Sequence, residues 1–472
     1  MNHLLPNIQK AWDSAKPFQI EDANFVIRNG RVVLGHKTGL GKTFIALMAW
    51  GKWSDVNRVY VVGTLSSVSV WRRLIKEWGG GISVFLQGEN DPNWERSLKE
   101  SGIYLMTYAT YRLLMRKTRG RISCDLLICD ELHRVLRSRK SQVYKTALLR
   151  TDFKYFIGLS ATWASRGPQD IWPVLHLANK RLFPSFWRFA ETFCWVDRTP
   201  FGLEIYGTRN PEALRRLLWE RYYVARTFKQ VANQFIKGDV HEEPVIRRQT
   251  VLPLSAQQQE LRRSLVDDMV ATLGDRTVIT PTSLARLTRL LQLAICPKIL
   301  FPEAEYGPAI DWLCDKVSED PHTIIFSPFE EALKICAKAI IEDGYPEDKI
   351  FYLHGGLHPD KLDATIDAWK ESKGLIFCTI SYAQSFATDT TDTAYFLGYS
   401  WDPNDNIQAE GRLRRMDSIL TTPCLVRYIV MEGSEYEDVR DVIDGKVINV
   451  QQFLIGYGKE HQIPKKDLLI SP

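Results

Sequence analysis

The sequence predicts an α/β protein made of two doubly wound parallel sheets. Three observations carry that expectation. Short apolar runs recur in two sets. The first set is Val32–Leu34, Val59–Val62, Ile103–Met106, Leu126–Cys129 and Phe156–Leu159. The second is Thr323–Phe326, Phe351–Leu353, Leu375–Cys378, Ala394–Leu397 and Cys424–Val430. The runs are continuous rather than alternating, which suits strands buried on both faces of a helix-covered sheet. Helical segments such as Trp71–Trp78, Glu331–Ile341 and Lys361–Trp369 lie between them.

A chain of 472 residues accommodates two or three domains. The pattern divides it into a first domain over 1–235, a linker with a small helical element over 236–285, a second domain over 286–450 and a polar tail over 451–472. Within the linker the spacing predicts an amphipathic helix from Ala256 to Leu273. Near the start, Ile20, Ala23, Val26 and Ile27 predict a helix that stops at Asn29-Gly30. The net charge of +5 permits a nucleic-acid partner without arguing for one. Eight cysteines with no Cys-x-x-Cys argue against a zinc site or disulfide framework and for a reducing compartment. The first residues do not form a signal peptide, and no apolar run reaches membrane-spanning length.

Chemistry concentrates where the apolar runs end. After Leu34 comes Gly35-His36-Lys37-Thr38-Gly39-Leu40-Gly41-Lys42-Thr43, then the apolar helix Phe44–Trp50. This strand–loop–helix layout aims backbone N–H groups and a helix N-terminus at an anion. Lys42 adds charge and the Thr43 hydroxyl can reach Mg²⁺. The generic motif has glycine where this chain has His36. Leu126–Cys129 runs into Asp130-Glu131-Leu132-His133. Two carboxylates at the mouth of a buried strand are costly unless used, Asp130 to support Mg²⁺ and Glu131 to activate water. The plainer reading is a solvated pair at a helix start. Phe156–Leu159 runs into Ser160-Ala161-Thr162, which either cap a helix or sense the γ-phosphate and relay it. Far downstream, Gln408, Arg412 and Arg415 are spaced i, i+4, i+7, so a continuous helix puts them on one face. Two guanidiniums aimed one way make a phosphate clamp.

A phosphate loop, then Asp-Glu-x-His, then Ser-Ala-Thr, then Gln-x-x-Gly-Arg-x-x-Arg resembles a superfamily 2 helicase. Further stretches resemble its Swi/Snf branch of DNA-dependent ATPases. Phe18-Gln19 is similar to the adenine-reading glutamine motif, Val61–Trp71 to the second nucleic-acid-facing motif, and Leu105–Tyr108 to a further strand-end motif. His354-Gly355-Gly356 resembles a loop on the tracking strand, and the branch also lacks the glycine replaced by His36. Thr379–Tyr399 departs from the fifth motif, carrying Gln384, Ser385 and Ala387 where the branch has glycines.

The resemblance implies two RecA-like lobes with an ATP cleft between them. It implies Gln19, Gly39, Leu40, Gly41, Lys42, Thr43, Gln408, Arg412 and Arg415 as nucleotide contacts and Thr43 and Asp130 as Mg²⁺ ligands. Glu131, Asp130, Lys42, Arg412 and Arg415 would be catalytic, and His133, Ser160, Ala161 and Thr162 would couple hydrolysis to movement. The implied activity is ATP-driven translocation along, or remodelling of, duplex or branched DNA. Alternatives are a strand-separating DNA or RNA helicase and a nucleotide-gated nucleic-acid binding protein without motor action. Basic candidates for backbone contacts are Arg116, Lys117, Arg119, Arg121, Arg137, Arg139 and Lys140. No membrane partner is expected. The compact chain suits a phage or mobile-element protein in a bacterial cytoplasm.

Overall fold

The computed structural model describes residues 2–88, 91–118, 122–200, 202–231, 245–353, 359–385, 391–413 and 424–454. They fall into two compact units, one of the described residues within 1–240 and 446–454, the other of those within 241–445.

Unit 1 contains β1 (Arg31–Leu34), β2 (Arg58–Gly63), β3 (Ser83–Phe85), β4 (Gly102–Thr107), β5 (Ile122–Asp130), β6 (Thr151–Leu159), β7 (Cys194–Thr199), β8 (Gly202–Thr208) and β9 (Tyr223–Val224). Seven of these form one sheet in the order β3-β4-β2-β5-β6-β1-β9, and every pairing in it is parallel. The five runs expected from sequence are its five central strands. Its edges are two short strands that the apolar pattern does not announce. Strand residues of one face, such as Val33, Tyr60, Val62, Leu127, Cys129 and Phe156, join one buried apolar core, and residues of the other face, such as Val32, Val61, Ile128 and Ile157, are buried as well, the outcome expected for a sheet covered on both faces. β7 and β8 form a separate antiparallel hairpin. Leu454 also joins this core, and Trp219 Nε1 donates to its carbonyl at 2.8 Å. Residue 454, read from sequence as tail, is thus packed.

Unit 2 contains β10 (Val245–Leu252), β11 (Val270–Leu273), β12 (Arg276–Ile279), β13 (Ile324–Ser327), β14 (Ile350–Leu353), β15 (Leu375–Thr379), β16 (Thr393–Leu397) and β17 (Cys424–Met431). Six form a parallel sheet ordered β10-β17-β16-β13-β15-β14. Two expectations for the linker need correction. Residues 245–252 are an edge strand paired along its whole length with β17. The helix from Ala256 ends at Asp267, not Leu273. Leu261, Leu265, Met269 and Leu273 continue a helical spacing, but Met269 adopts φ 58° and the chain turns into the hairpin β11–β12. Arg286 Nη1 donates to the Val266 carbonyl at 3.1 Å in the helix's last turn, where orphan carbonyls need donors.

Candidate nucleotide-binding and hydrolysis site

Register in the unit 1 sheet collects the strand-end motifs into one row. Leu34 pairs with Leu159, Leu159 with Asp130, Cys129 with Val62, and Gly63 with Thr107. The segments after β1, β6, β5, β2 and β4 therefore all leave the sheet at its carboxyl edge, where open α/β sheets bind ligands.

The phosphate loop bridges β1 and the helix Lys42–Trp50. It is held from the side by Gly35 N donating to Val224 O (2.8 Å) and Lys37 N to Arg226 O (3.1 Å). Gly39 (φ 89°) and Gly41 (φ 76°) lie in the left-handed region that favours glycine. A Cβ on Gly41 would also meet Gln19 Nε2 at 2.7 Å, so Gln19 packs directly against the loop. Gln19 Oε1 accepts from Lys16 N at 3.0 Å, capping its own helix. Leu40 is buried and pins the loop from within. Lys42 Nζ donates to His36 O at 3.0 Å. Thr43 follows it in the first turn of the helix.

His36 has a role of its own. Its Nε2 lies 2.7 Å from Asp22 Oδ2 in the interior. Asp22 also accepts from Arg226 Nε at 3.0 Å and Nη2 at 2.7 Å. A carboxylate only accepts, so His36 Nε2 carries the proton. Burial works against charge on Asp22, but the hydrogen bonds from His36 and Arg226 hold its carboxyl below the ordinary range. Burial also lowers His36, against the pull of Asp22. The network ties the Pro17–Asn29 helix, the loop and the chain beyond β9 together. Neither Asp22 nor Arg226 is among the site residues expected from the sequence. A buried-pair signal could have come from an acid and a histidine sitting in adjoining motifs.

Asp130 closes β5. Its Oδ1 accepts from Glu131 N at 2.8 Å and its Oδ2 from Trp71 Nε1 at 3.0 Å. Burial, reinforced by the Glu131 charge, pushes Asp130 up to about 6, with Lys42 and Trp71 opposing. Glu131 adopts φ 48°, a left-handed conformation that is uncommon outside glycine and asparagine. Its Oε2 lies 3.3 Å from His133 Nδ1. That nitrogen shares a 2.9 Å hydrogen bond with Ser160 Oγ, which also accepts from Thr162 N at 3.1 Å. Burial, then the charges of Arg137, Arg134 and Lys42, hold His133 well below the ordinary imidazole range. Ser160 caps no helix; its hydroxyl instead joins the two strand ends, with Ala161 half-buried beside it. Thr43 and Asp130 offer the hard oxygen donors that Mg²⁺ takes, and a cation would offset the cost of ionising Asp130. Among the described residues no group of three or more His, Cys, Asp or Glu could hold a metal by itself. Two oxygen donors fit an ion whose remaining ligands are phosphate and water.

In unit 2 the helix Pro403–Glu410 carries Gln408, which is buried. Gln408 and Arg412 do not share one continuous helix, contrary to the expectation that put them on one helical face. The helix ends before Gly411, and Arg412 N and Leu413 N bond back to Ala409 O and Glu410 O in tightened turns. Arg412 is half-buried on this turn, and its charge acts on Cys378 near the end of β15. Arg415 lies outside the described residues, as do His354-Gly355-Gly356 and 386–390 of the fifth-motif stretch. What holds the helix is unforeseen. Glu410 accepts from Arg247 Nη2 at 2.7 Å and Nε at 3.1 Å, and from Tyr428 Oη at 2.8 Å. Arg247 belongs to β10, so the supposed linker anchors the helix.

Several basic candidates have structural partners. Arg137 donates to His133 O (2.6 Å) and Ser165 Oγ (3.1 Å). Arg139 lies over the Phe186 and Trp187 rings, and Lys117 over Trp94. Arg116 and Lys140 are exposed, while Arg119 and Arg121 lie outside the described residues. No helix among the described residues is long and apolar enough to cross a membrane.

Residues 16–171 match the family model of the DEAD/DEAH box helicases, and 308–417 that of the helicase conserved C-terminal domain. Two curated relatives are named SWI/SNF-related matrix-associated actin-dependent regulator of chromatin subfamily A-like protein 1. The Drosophila melanogaster protein is 24% identical over 463 residues, covering 95% of this chain and 56% of its own length. The Xenopus laevis protein is 26% identical over 452 residues, covering 91% and 43%. The chain thus spans about half the length of the curated relatives it matches. Among solved structures, the Sulfolobus solfataricus SWI2/SNF2 ATPase core in complex with dsDNA covers 93% of this chain and 91% of its own. It does so at 18% identity and a TM-score of 0.41.

Proposed function

For a chain that belongs to the superfamily 2 helicase-family ATPases, we propose a Swi/Snf-type activity, in which ATP hydrolysis drives movement along, or remodelling of, duplex or branched DNA. The observation that carries the reading is the carboxyl edge of the unit 1 sheet, where the phosphate loop, Asp130-Glu131 and Ser160 follow strands in register. The choice of branch is supported by relatives named SWI/SNF-related that match more than nine-tenths of this chain.

In this mechanism Gln19 reads the adenine, and the amides of Gly39–Thr43 with Lys42 hold the phosphates. Thr43 and Asp130 would hold Mg²⁺, which when bound neutralises charge on the phosphate oxygens. Glu131 orients and deprotonates the attacking water. In unit 2, Gln408, Arg412 and Arg415 are the residues assigned to phosphate contact. An arginine finger is worth roughly 10³–10⁵ in rate in comparable NTPases, so loss of these guanidiniums should fall mainly on kcat. His133, Ser160, Ala161 and Thr162 relay the state of the γ-phosphate site. The grip on DNA is mainly through phosphates and so is salt-sensitive.

A second reading, strand separation, is favoured by the hairpin β7–β8, which stands apart from the sheet with Trp195 and Leu203 exposed. The test is the steady-state ATPase rate with no nucleic acid, single-stranded DNA, duplex DNA, branched DNA and RNA. Stimulation by duplex or branched DNA is expected. Stimulation by RNA alone would overturn the DNA assignment, and no stimulation by any of them would overturn both motor readings.

A further inference from the structure

Two segments outside the phosphate loop and the acidic pair reach Asp130. Trp71 lies in the helix Leu65–Leu74 and is fully buried. Its indole N–H is the donor to Asp130 Oδ2, and the backbone of Glu131 serves the other oxygen. The carboxylate plane is therefore set by two protein donors. The approach of this helix depends on Gly63 at the end of β2. A Cβ there would lie 2.9 Å from Ser67 Cβ and 3.2 Å from Asp130 Cβ, leaving no space for one. From the next strand, Tyr108 Oη donates to the Asp130 carbonyl at 2.8 Å. Tyr108 opens the helix Tyr108–Lys117.

The two helices start alike. Thr64 Oγ1 accepts from Ser67 N at 3.2 Å, and Thr107 Oγ1 from Thr110 N at 3.1 Å. Each threonine caps the backbone N–H three residues on, which fixes the first turn, where Tyr108 lies, and the start of the helix that carries Trp71. Trp indole has one donor and no acceptor, so it can serve the carboxylate and nothing else. In a buried setting, losing that donor leaves a carboxylate oxygen unserved, and the group turns or protonates.

We propose that Trp71 is a positioning residue for the metal-binding carboxylate. Its indole N–H holds Asp130 in the orientation the metal site requires, and Tyr108 holds the same residue through its backbone. The strand-end segments Thr64–Trp71 and Thr107–Tyr108 are thereby joined to the hydrolysis site by one hydrogen bond each. This rests on the proposed role of Asp130 as an Mg²⁺ ligand.

The test is the Mg²⁺ dependence of binding of a fluorescent ADP analogue to the full chain, with melting temperature measured alongside. Trp71→Phe keeps a ring in the core and removes the N–H. It should raise the Mg²⁺ concentration for half-saturation about tenfold, the range found when a partner of a metal ligand is removed, and leave Mg²⁺-free nucleotide binding at the wild-type level. Tyr108→Phe removes a single hydroxyl and should raise it about twofold to threefold, which keeps the test alive should Trp71→Phe not fold. In both variants, saturating Mg²⁺ should recover nucleotide affinity. A wild-type Mg²⁺ requirement in whichever of these variants folds would overturn the proposal. If wild-type protein itself bound nucleotide without any Mg²⁺ dependence, the assignment of Asp130 as a ligand would fail first, and this proposal with it.

Discussion

His36 Nε2 and Asp22 Oδ2 lie 2.7 Å apart with both side chains removed from solvent. The bond turns a departure from the generic phosphate-loop pattern into a structural device. Restoring glycine with His36→Gly should not improve the site. It removes a buried hydrogen bond to a carboxylate and leaves Asp22 to Arg226 alone. The expected cost is about 1–3 kcal/mol. It would be read as a lower denaturant midpoint for unit 1 together with a higher KM for ATP. An unchanged midpoint would mean that the network is not holding the loop.

Acid should weaken unit 1, and the sign follows from its histidines. Burial keeps His36 and His133 below the ordinary value of 6.5, so below that pH the unfolded chain binds protons that the folded chain does not. Stability is fully present above pH 6.5 and is lost as pH falls, by up to about 1.4 kcal/mol per histidine per pH unit. Asp22, held below 3.8 against its own burial by His36 and Arg226, adds a further loss only at lower pH. Asp130 runs the other way. Burial and Glu131 raise it to about 6, so protonation there returns part of the loss as pH falls below about 6. Denaturation at pH 7.5 and 5.5 should show the net loss, and His36→Gln should reduce it.

Lys42→Ala and Glu131→Gln should both abolish turnover but in different ways. Lys42 is placed to bind phosphate, so its loss should weaken nucleotide binding. Glu131→Gln should bind nucleotide at the wild-type level while kcat falls by about 10²–10⁴. Near-normal hydrolysis by either variant would show the site to be wrongly assigned.

The ion pair Arg247–Glu410 predicts that the edge strand β10 supports chemistry. Glu410 is buried and Arg247 half-buried, so removing the arginine leaves a buried carboxylate short of its charged donor, at a cost of about 1.5–3 kcal/mol. Arg247→Ala should therefore destabilise unit 2 by roughly that amount and lower kcat, because the turn bearing Arg412 follows Glu410 directly. Tyr428→Phe, which removes only a second hydrogen bond, should cost about 1 kcal/mol. Equal stability of Arg247→Ala and wild type would contradict this.

The strand core was legible because double-sided burial writes itself as continuous apolar runs. The phosphate loop and Asp130-Glu131 were legible because their chemistry lies in contiguous residues at strand ends. Three features were not, each for a physical reason. β10 reads Val-Ile-Arg-Arg-Gln-Thr-Val-Leu and is only half-buried or exposed, so it lacks the apolar run of the central strands. The helix from Ala256 keeps its spacing through Leu273, but pairing of β11 with β12 overrides it after Asp267. Partners joined across long separations, such as Trp71 with Asp130 or Asp22 with His36 and Arg226, leave no periodic signal.

Displacement of the third strand from a DNA triplex tests translocation most directly. In the presence of ATP the protein should release the third strand, Glu131→Gln should not, and a forked duplex should stay paired under the same conditions. Unwinding of the fork with the triplex left intact would contradict the account.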